Sequence, residues 1–237
     1  MSNTNRLSLP LVQPSQAQKH VTVNEALLKL DAFAQLAIRS RGVTVPPVAP
    51  AEGDLYAVGA APVNDWAGQA GMVALFSGGG WQFVPPQTGW RGWIQDEGVP
   101  AIWDGTDWLV GAATLSPNGS AFVHRSIETD HTVLAGAAST TGTLIPANTL
   151  VYGVAGLVLS DLGGTATAWQ LGVDGVSANR YGSGLGVATG SYAKGLTSTP
   201  IAYYSDTALT LTADGGGFGG GVVRLVVHLA ELTLPRP

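Results

Sequence analysis

The side chains best suited to chemistry lie in a glycine-rich stretch of the C-terminal half. Asn179, Arg180 and Tyr181 are consecutive within residues 174–184, a segment rich in turn-forming residues. Sugars are recognised by flat aromatic faces and by donors that hold hydroxyl groups, and an arginine beside an aromatic ring offers both. We expect these side chains to be exposed, because a turn-rich segment has little core for them to enter. The predicted glycan-binding set is Trp169, Asn179, Arg180, Tyr181 and Tyr192.

A second group of aromatic residues lies in the N-terminal half. Its members are Trp66, Trp81, Trp90, Trp93, Trp103 and Trp108. These rings could also stack on sugars, but a β domain of about sixty residues needs large rings to bury enough area to fold. We therefore predict that they fill a core.

Two pairs of carboxylates lie among these tryptophans, Asp96 with Glu97 and Asp104 with Asp107. Two carboxylates that flank a glycosidic bond are the catalytic groups of glycosidases, so an enzyme acting on polysaccharide is one interpretation. Both pairs fall in apparent hairpin turns, where aspartate commonly bonds its own backbone. No G-x-S-x-G elbow occurs in a strand-to-helix context. We therefore predict that the protein is not an enzyme.

The residue types that bind metals are few in this sequence. Cysteine is absent, which excludes disulfides and thiolate sites. The histidines are His20, His124, His131 and His228, and they show no helical ligand spacing. His124 and His131 could approach each other across strands, whereas His228 and His20 are expected to have structural roles. We predict no metal and no cofactor.

The composition limits the kinds of partner. The 237 residues carry a net charge of -5 without a basic run, which disfavours nucleic acid as a partner. The apolar runs 149–159 and 222–229 fall far short of the about 20 residues of a spanning helix, so no membrane insertion is expected. Only 11% of residues are charged and 33 are glycine. This composition fits an all-β protein with tight turns, or a subunit whose surface is partly covered by partners.

The elements that position these residues begin with an arm and a helix. Pro10 and Pro14 predict an extended arm over residues 1–21. Residues 22–25, Thr-Val-Asn-Glu, have the spacing of a capping box and predict a helix to about residue 39. Its heptad-like apolar stripe comprises Val23, Leu27, Leu30, Ala34 and Ala37. Such a stripe needs a partner, either in the same domain or in another copy of the chain.

Three regions are predicted along the chain. Residues 1–44 form the arm and helix, for attachment or oligomerisation, and a proline-rich linker over residues 45–50 follows. Residues 51–112 form a small tryptophan-rich β meander of six short strands. Residues 119–237 form a jelly-roll-like β-sandwich of about seven strands, of which residues 222–232 are central. The predicted fold class is mainly β with a single helix.

The N-terminal half also carries a family resemblance. The stretch that opens it reads LPLVQPSQAQKHVTVNEALLKLDAFAQLAI, from residue 9, and the similarity continues through EGDLYAVG and AIWDGTDWL over residues 7–110. It resembles a domain of unknown function found in phages, prophages and gene transfer agents of alphaproteobacteria. There the domain sits in tail-fibre-like or head-spike-like proteins.

This resemblance implies a function and a location. The chain would be a non-enzymatic virion fibre or spike subunit, a homotrimer that contacts other virion proteins and binds a host cell-surface polysaccharide. It would be made in the bacterial cytoplasm, be released by lysis and lie on the virion surface. Two alternatives stay open: a virion enzyme that degrades polysaccharide, and a purely structural virion adaptor.

Overall fold

The computed structural model describes residues 3–12 and 19–237. The chain divides into two compact units, Met1–Gly119 and Ser120–Pro237. It is mainly β with one α-helix, α1 (Lys19–Phe33), which confirms the predicted fold class. Within the described ranges, no helix has the length and apolar content needed to cross a membrane.

The first unit contains two small sheets next to α1. Its strands are β1 (Ala37–Ile38), β2 (Arg41–Val43), β3 (Leu55–Val58), β4 (Val73–Ser77), β5 (Gly80–Val84), β6 (Arg91–Ile94), β7 (Val99–Trp103), β8 (Trp108–Val110) and β9 (Ala112–Leu115). One sheet has the order β1-β6-β7-β8 and the other β2-β3-β4-β5. Six of these strands, β3 to β8, coincide within two residues with the strands that the sequence predicts, at residues 54–58, 72–76, 80–84, 89–94, 100–103 and 108–110.

The tryptophans of this unit mostly fill its core. Trp66, Trp103 and Trp108 are buried, and the rings of Trp66 and Trp81 meet edge to face with centroids 5.0 Å apart. Trp93 is the exception, because it lies on the solvent side of β6. The core therefore depends on aromatic area, as expected for so small a β unit.

The helix differs from its prediction at both ends. It begins at Lys19, so Thr22 and Glu25 lie inside it and the predicted capping box is wrong. It ends at Phe33, and Ala37 instead pairs with Trp93 in the parallel β1–β6 ladder. The predicted stripe is consequently interrupted. The helix buries Asp31 and Ala32, whereas Val23 and Leu30 of the stripe are exposed.

The N-terminal arm is not simply extended. Residues 3–10 fold back on themselves, with the Thr4 amide donating to the Leu9 carbonyl at 2.9 Å. The Arg6 guanidinium then donates to the carbonyl oxygens of Ala37 and Gly53, at 3.1 and 3.0 Å. These bonds make residues 3–10 part of the first unit, while the role of the arm in attachment or oligomerisation stays a prediction. Residues 1, 2 and 13–18 of the predicted arm lie outside the described residues, and residues 19–21 belong to α1.

The proline-rich segment 45–50 is not a linker between domains. It connects β2 and β3, which pair in parallel within one sheet. The Val63 amide donates to the Thr44 carbonyl at 2.9 Å, and the Ala51 amide donates to Asp54 Oδ2 at 2.9 Å. Both ends of the segment are thus held to the first unit.

The second unit is an eight-stranded jelly roll. Its strands are β10 (Ala121–Thr132), β11 (Ala138–Ile145), β12 (Thr149–Ser160), β13 (Ala168–Val173), β14 (Ser177–Leu185), β15 (Tyr192–Tyr203), β16 (Thr207–Asp214) and β17 (Val222–Leu232). Within this unit one sheet has the order β15-β12-β17-β10 and the other β11-β16-β13-β14. Two four-stranded sheets with these crossovers form the double Greek key of a jelly roll.

β17 is a central strand, as its alternating pattern predicts. It pairs antiparallel with β10 on one side and with β12 on the other. Val223, Leu225, Val227 and Leu229 point into the sandwich and are at most 1% exposed. The intervening residues face away from the core, as strand alternation requires.

Three local predictions in this unit are corrected. The segment predicted as a turn-rich loop contains β14, in which a strand partner supplies the order that composition alone did not suggest. β11 was not predicted, because its sequence is poor in large apolar residues. The sequence also predicts a separate strand near residues 131–134, but residues 131 and 132 are the end of β10 and residues 133 and 134 follow it.

Candidate functional site

Two members of the predicted glycan site belong to the sandwich core. Trp169 and Tyr181 are 0% and 1% exposed. The indole Nε1 of Trp169 donates to the Gly186 carbonyl at 2.8 Å, so its polar atom is also satisfied inside the protein. The expectation that Tyr181 is exposed is wrong, because strand geometry turns its ring inward, and Trp169 is likewise unable to line a surface site.

The Tyr181 hydroxyl joins a small polar cluster instead. It lies 2.7 Å from the Tyr203 hydroxyl, which also accepts a bond of 3.1 Å from Arg180 Nη1. The Arg180 guanidinium carbon lies 5.9 Å from the Tyr203 ring centroid, within cation–π range. Burial raises the pKa of Tyr181 well above its ordinary value, and the bond to Tyr203 raises it further. Because β14 and β15 belong to different sheets, this cluster ties the two sheets together.

The exposed members of the predicted set lie apart. Tyr192 is exposed and faces Leu157 across the ladder, whereas Tyr203 faces Thr149. Eight positions along β12 correspond to about 26 Å, so Tyr192 does not share a site with the Arg180–Tyr203 pair. On β14, Asn179 is exposed and Arg180 is half-buried. Of the five predicted residues, Asn179, Arg180 and Tyr192 are thus at the surface, and only Asn179 and Arg180 among these are neighbours on one strand.

The solvent side of the β15-β12-β17-β10 sheet is a second candidate surface, which the sequence did not indicate. We call it the outer face. Large apolar side chains are exposed on it, namely Leu150, Leu157, Tyr192, Leu196 and Leu232. Near its centre lies a shallow depression of about 230 Å³. Gly153 and Ala155 provide its small residues, and Tyr152, Lys194 and His228 are among the larger ones around it.

The charged groups of the outer face lie on β10, β17 and β15. Arg224 contacts both Asp130, at 2.6 Å, and Glu128, at 3.5 Å, on the β10 side. The hydrogen bond from Arg224 holds the pKa of Asp130 below its usual range. Lys194 lies on β15, the strand at the opposite side. The face thus has carboxylates on β10 and a lysine on β15, and its two middle strands carry Ala155 and Val226 as well as Arg224 and His228.

The histidines do not converge. His124 and His131 lie seven residues apart on β10, about 23 Å along the strand, so the expected approach across strands is wrong. His131 bonds Ser139 Oγ at 2.8 Å, and burial lowers its pKa. His124 stacks on Tyr152, with ring centroids 5.7 Å apart. His228 lies 3.0 Å from the Ser126 hydroxyl, and the side chain of His20 lies outside the described part of the chain.

The carboxylate pairs hold turns and strands. Asp104 Oδ1 accepts bonds of 2.8 Å from the amides of Thr106 and Asp107, the arrangement expected of a turn residue. Glu97 forms a two-point ion pair with Arg41, at 2.6 and 3.1 Å. Within residues 3–12 and 19–237, no three His, Asp or Glu side chains are grouped so as to hold a metal ion.

The first unit has a polar cavity of about 500 Å³ near the folded arm. Arg6 and Arg39 line it together with Glu52 and Asp54. Arg39 Nε donates to Asp54 Oδ1 at 2.8 Å, and this bond raises the pKa of Arg39. Glu52 accepts the amides of Gly78 and Gly79, so these charged groups mainly hold the unit together.

Comparison with known proteins gives a partial match to one family model. A family model described as a protein of unknown function, DUF2793, matches residues 23–109, which lie within the first unit. No curated protein matches the chain. Among solved structures, the chain is similar to one from the cyanophage Pam1 capsid asymmetric unit, with 23% identity over 51% of this chain and 91% of that chain. The TM-score is 0.34, which is too low to assign a fold or a function.

Proposed function

We propose that this chain is a non-enzymatic structural subunit of a phage-like virion, exposed on the particle surface as a fibre or spike. The resemblance of residues 7–110 to virion proteins supports this role. The jelly roll of the second unit is an architecture used in viral capsids and in lectins, although a fold by itself does not assign a function. The protein would be made in the bacterial cytoplasm and leave the cell at lysis.

We further propose that the second unit binds a host cell-surface glycan through β14. The observation behind this proposal is the Arg180 guanidinium, held at the Tyr203 ring and hydroxyl beside the exposed Asn179. A guanidinium fixed by one hydrogen bond still presents a planar set of donors for sugar hydroxyls. Asn179 adds an amide that can both donate and accept.

A single site of this size binds weakly. A millimolar dissociation constant corresponds to about -4 kcal/mol. A homotrimer that presents three such sites to one cell surface would gain avidity of about 10²–10⁴-fold. We therefore include the trimer in the proposed mechanism of adhesion.

The test is retention on a glycan array and adsorption to cells by the purified full chain. Asn179→Ala and Arg180→Ala should each abolish retention, because each removes a donor from the proposed site. Arg125→Ala is a matched control, because the Arg125–Glu231 ion pair lies on the sheet that does not contain β14. Loss of retention in the control, or retention that survives in both β14 variants, would remove the glycan site from β14.

A structural adaptor without glycan binding is the second candidate. The exposed apolar residues of the outer face favour it, because such surfaces commonly mark protein contacts. An adaptor would give no hits on the array and would co-purify with another virion protein. We propose no catalytic step in either case, so incubation with any retained polysaccharide should release no reducing ends.

A further inference from the structure

We infer that the outer face of the second unit is the contact between copies of this chain, and that Lys194 of one copy pairs there with Glu128 of the next. The copies are related by a rotation axis parallel to the strands of the sheet. This inference rests on the trimer of the proposed function and assigns it a contact surface. It does not depend on glycan binding.

The size of the outer face suits an interface. Four strands about 4.8 Å apart and about eleven residues long cover about 700 Å². A specific interface buries about 800 Å² per partner, and exposed apolar patches of several hundred Å² mark contact sites. Leu196 and Leu232 are 82% and 74% exposed on this face, so apolar area is open to a partner.

The charges lie in one row across the strands. Lys194 of β15 is opposite Ala155 of β12. Ala155 is opposite Val226 of β17, which in turn is opposite Glu128 of β10. The row therefore reads basic, apolar, apolar and acidic, with its two charges on β15 and β10.

The order of the charges along this row favours one direction of the rotation axis. An axis parallel to the strands keeps the row at the same height in every copy and brings the β15 side of one copy to the β10 side of the next. Lys194 then meets Glu128, and Ala155 and Val226 of the same row face the axis. An axis perpendicular to the strands would face lysine with lysine, which costs free energy.

The acidic side carries one negative charge more than it has positive partners. Glu128 and Asp130 both contact Arg224, so two carboxylates are balanced by one guanidinium. Asp130 makes the shorter bonds, at 2.6 and 2.7 Å, whereas Glu128 stands 3.5 Å from Arg224 and is 57% exposed. Glu128 is therefore the carboxylate available to a lysine of another copy.

The width of the face fits three copies. A triangular prism with sides of about 19 Å has an inner radius of about 5.5 Å, close to half of the about 10 Å that separate packed sheets. A single layer of side chains from the outer face of each copy would therefore reach the axis. The short side chains of Ala155 and Val226 lie on the two middle strands, where a prism face is nearest to the axis.

Sedimentation of the full chain at micromolar concentration tests this arrangement. The wild type should sediment as a trimer, and Lys194→Glu or Glu128→Lys should each raise the dissociation constant at least about tenfold by placing like charges together. The exchanged double variant, Lys194→Glu with Glu128→Lys, should restore the trimer. Lys29→Glu on α1 is the control and should leave the mass unchanged.

Several results would overturn the inference. These are a monomeric wild type, a trimer indifferent to both charge reversals, or a double variant that stays dissociated. Ala155→Asp should also dissociate the trimer, with an unchanged circular dichroism spectrum. If Leu27→Asp with Leu30→Asp dissociates it while Ala155→Asp does not, the helix is the contact. A variant that no longer forms trimers can still be tested on the glycan array at high surface density. Retention there would show that the glycan site is intact, so the failure of the interface and the failure of the glycan site can be told apart.

Discussion

Tyr181 shows how one residue changes role when its strand is formed. As a loop residue it would bind sugar, but in β14 its ring fills the core and its hydroxyl meets Tyr203. Tyr181→Ala should lower the free energy of unfolding by about 3–5 kcal/mol through the cavity it leaves. Tyr181→Phe should lower the same free energy by about 1–2 kcal/mol, because the Tyr203 hydroxyl loses its hydrogen bond to Tyr181. Urea unfolding measures both.

Tyr192→Phe is the control for these variants, because its ring is 70% exposed. It should change the free energy of unfolding by less than about 0.5 kcal/mol. If Tyr181→Ala were as harmless as this control, Tyr181 would not be a core residue in solution.

The same tyrosine predicts a response to alkali. Its pKa in the folded state is raised by burial, above the about 10 of an unfolded chain. The folded state then holds the proton more tightly, so this contribution to stability is complete below pH 10 and is lost as the pH rises further. Stability should fall more steeply above pH 10 in the wild type than in Tyr181→Phe. Parallel curves for the two proteins would contradict the assignment.

Asp31 predicts a response to acid in the first unit. Burial raises its pKa, but bonds from the Leu7 amide, the Thr4 hydroxyl and the Arg6 amide together lower it below its ordinary value. The stabilisation is present above the unfolded pKa of about 3.9 and is lost as the pH falls through the lower folded value. Asp31→Asn should lower the free energy of unfolding by about 1–3 kcal/mol at pH 7. The side-chain NH2 group of asparagine would face one of the donors that the Asp31 carboxylate accepts.

The cost of Asp31→Asn should also shrink as the solution is acidified, because the wild type loses the same charge. Thermal melting between pH 7 and pH 3 measures this difference. Gln87→Ala, at an exposed position without a titratable group, is the control and should show no such trend. A difference from wild type that grows on acidification would contradict the assigned role of Asp31.

At the scale of elements, the close approach of β14 and β15 depends on a glycine. A Cβ at Gly195 would lie 2.1 Å from the Tyr181 carbonyl oxygen, whereas one at Gly142 in β11 would meet nothing within 4 Å. Gly195→Ala should therefore force the strands apart and cost about 1–3 kcal/mol. Gly142→Ala should be nearly neutral. Equal melting temperatures for the two variants would show that β14 and β15 do not approach in this way.

At the scale of the whole molecule, the two units should separate on proteolysis. A cut near residues 116–119 should release 120–237 as a folded fragment, because the jelly roll has its own core. A fragment of residues 51–112 should not fold, because Leu36 and Ile38 belong to the same core as Leu55 and Ile94. Cooperative urea unfolding of each fragment, compared with the full chain, decides this. Aggregation of 120–237 would show that the unit needs the rest of the chain.

Local patterns were enough to predict much of this fold. Alternating apolar residues and glycine turns located β3 to β8 and the central strand β17. The tryptophans were assigned to the core because a small β unit needs their area, and Trp66 and Trp108 are buried there. The turn roles of Asp104 and Asp107 followed from their neighbours. Each of these features depends on residues within a few positions, so the sequence carries the information directly.

The end of the helix and the candidate site depended on distant partners. Ala37 fits a helical stripe by spacing, but its pairing with Trp93 places it in a strand. Arg180 and Tyr203 are chemically suitable wherever they lie, yet only the meeting of β14 with β15 brings them to 3.1 Å. The charged row of the outer face joins four strands that are far apart in the chain. Composition and periodicity describe the faces of an element, whereas which face is buried is decided by the partner that covers it.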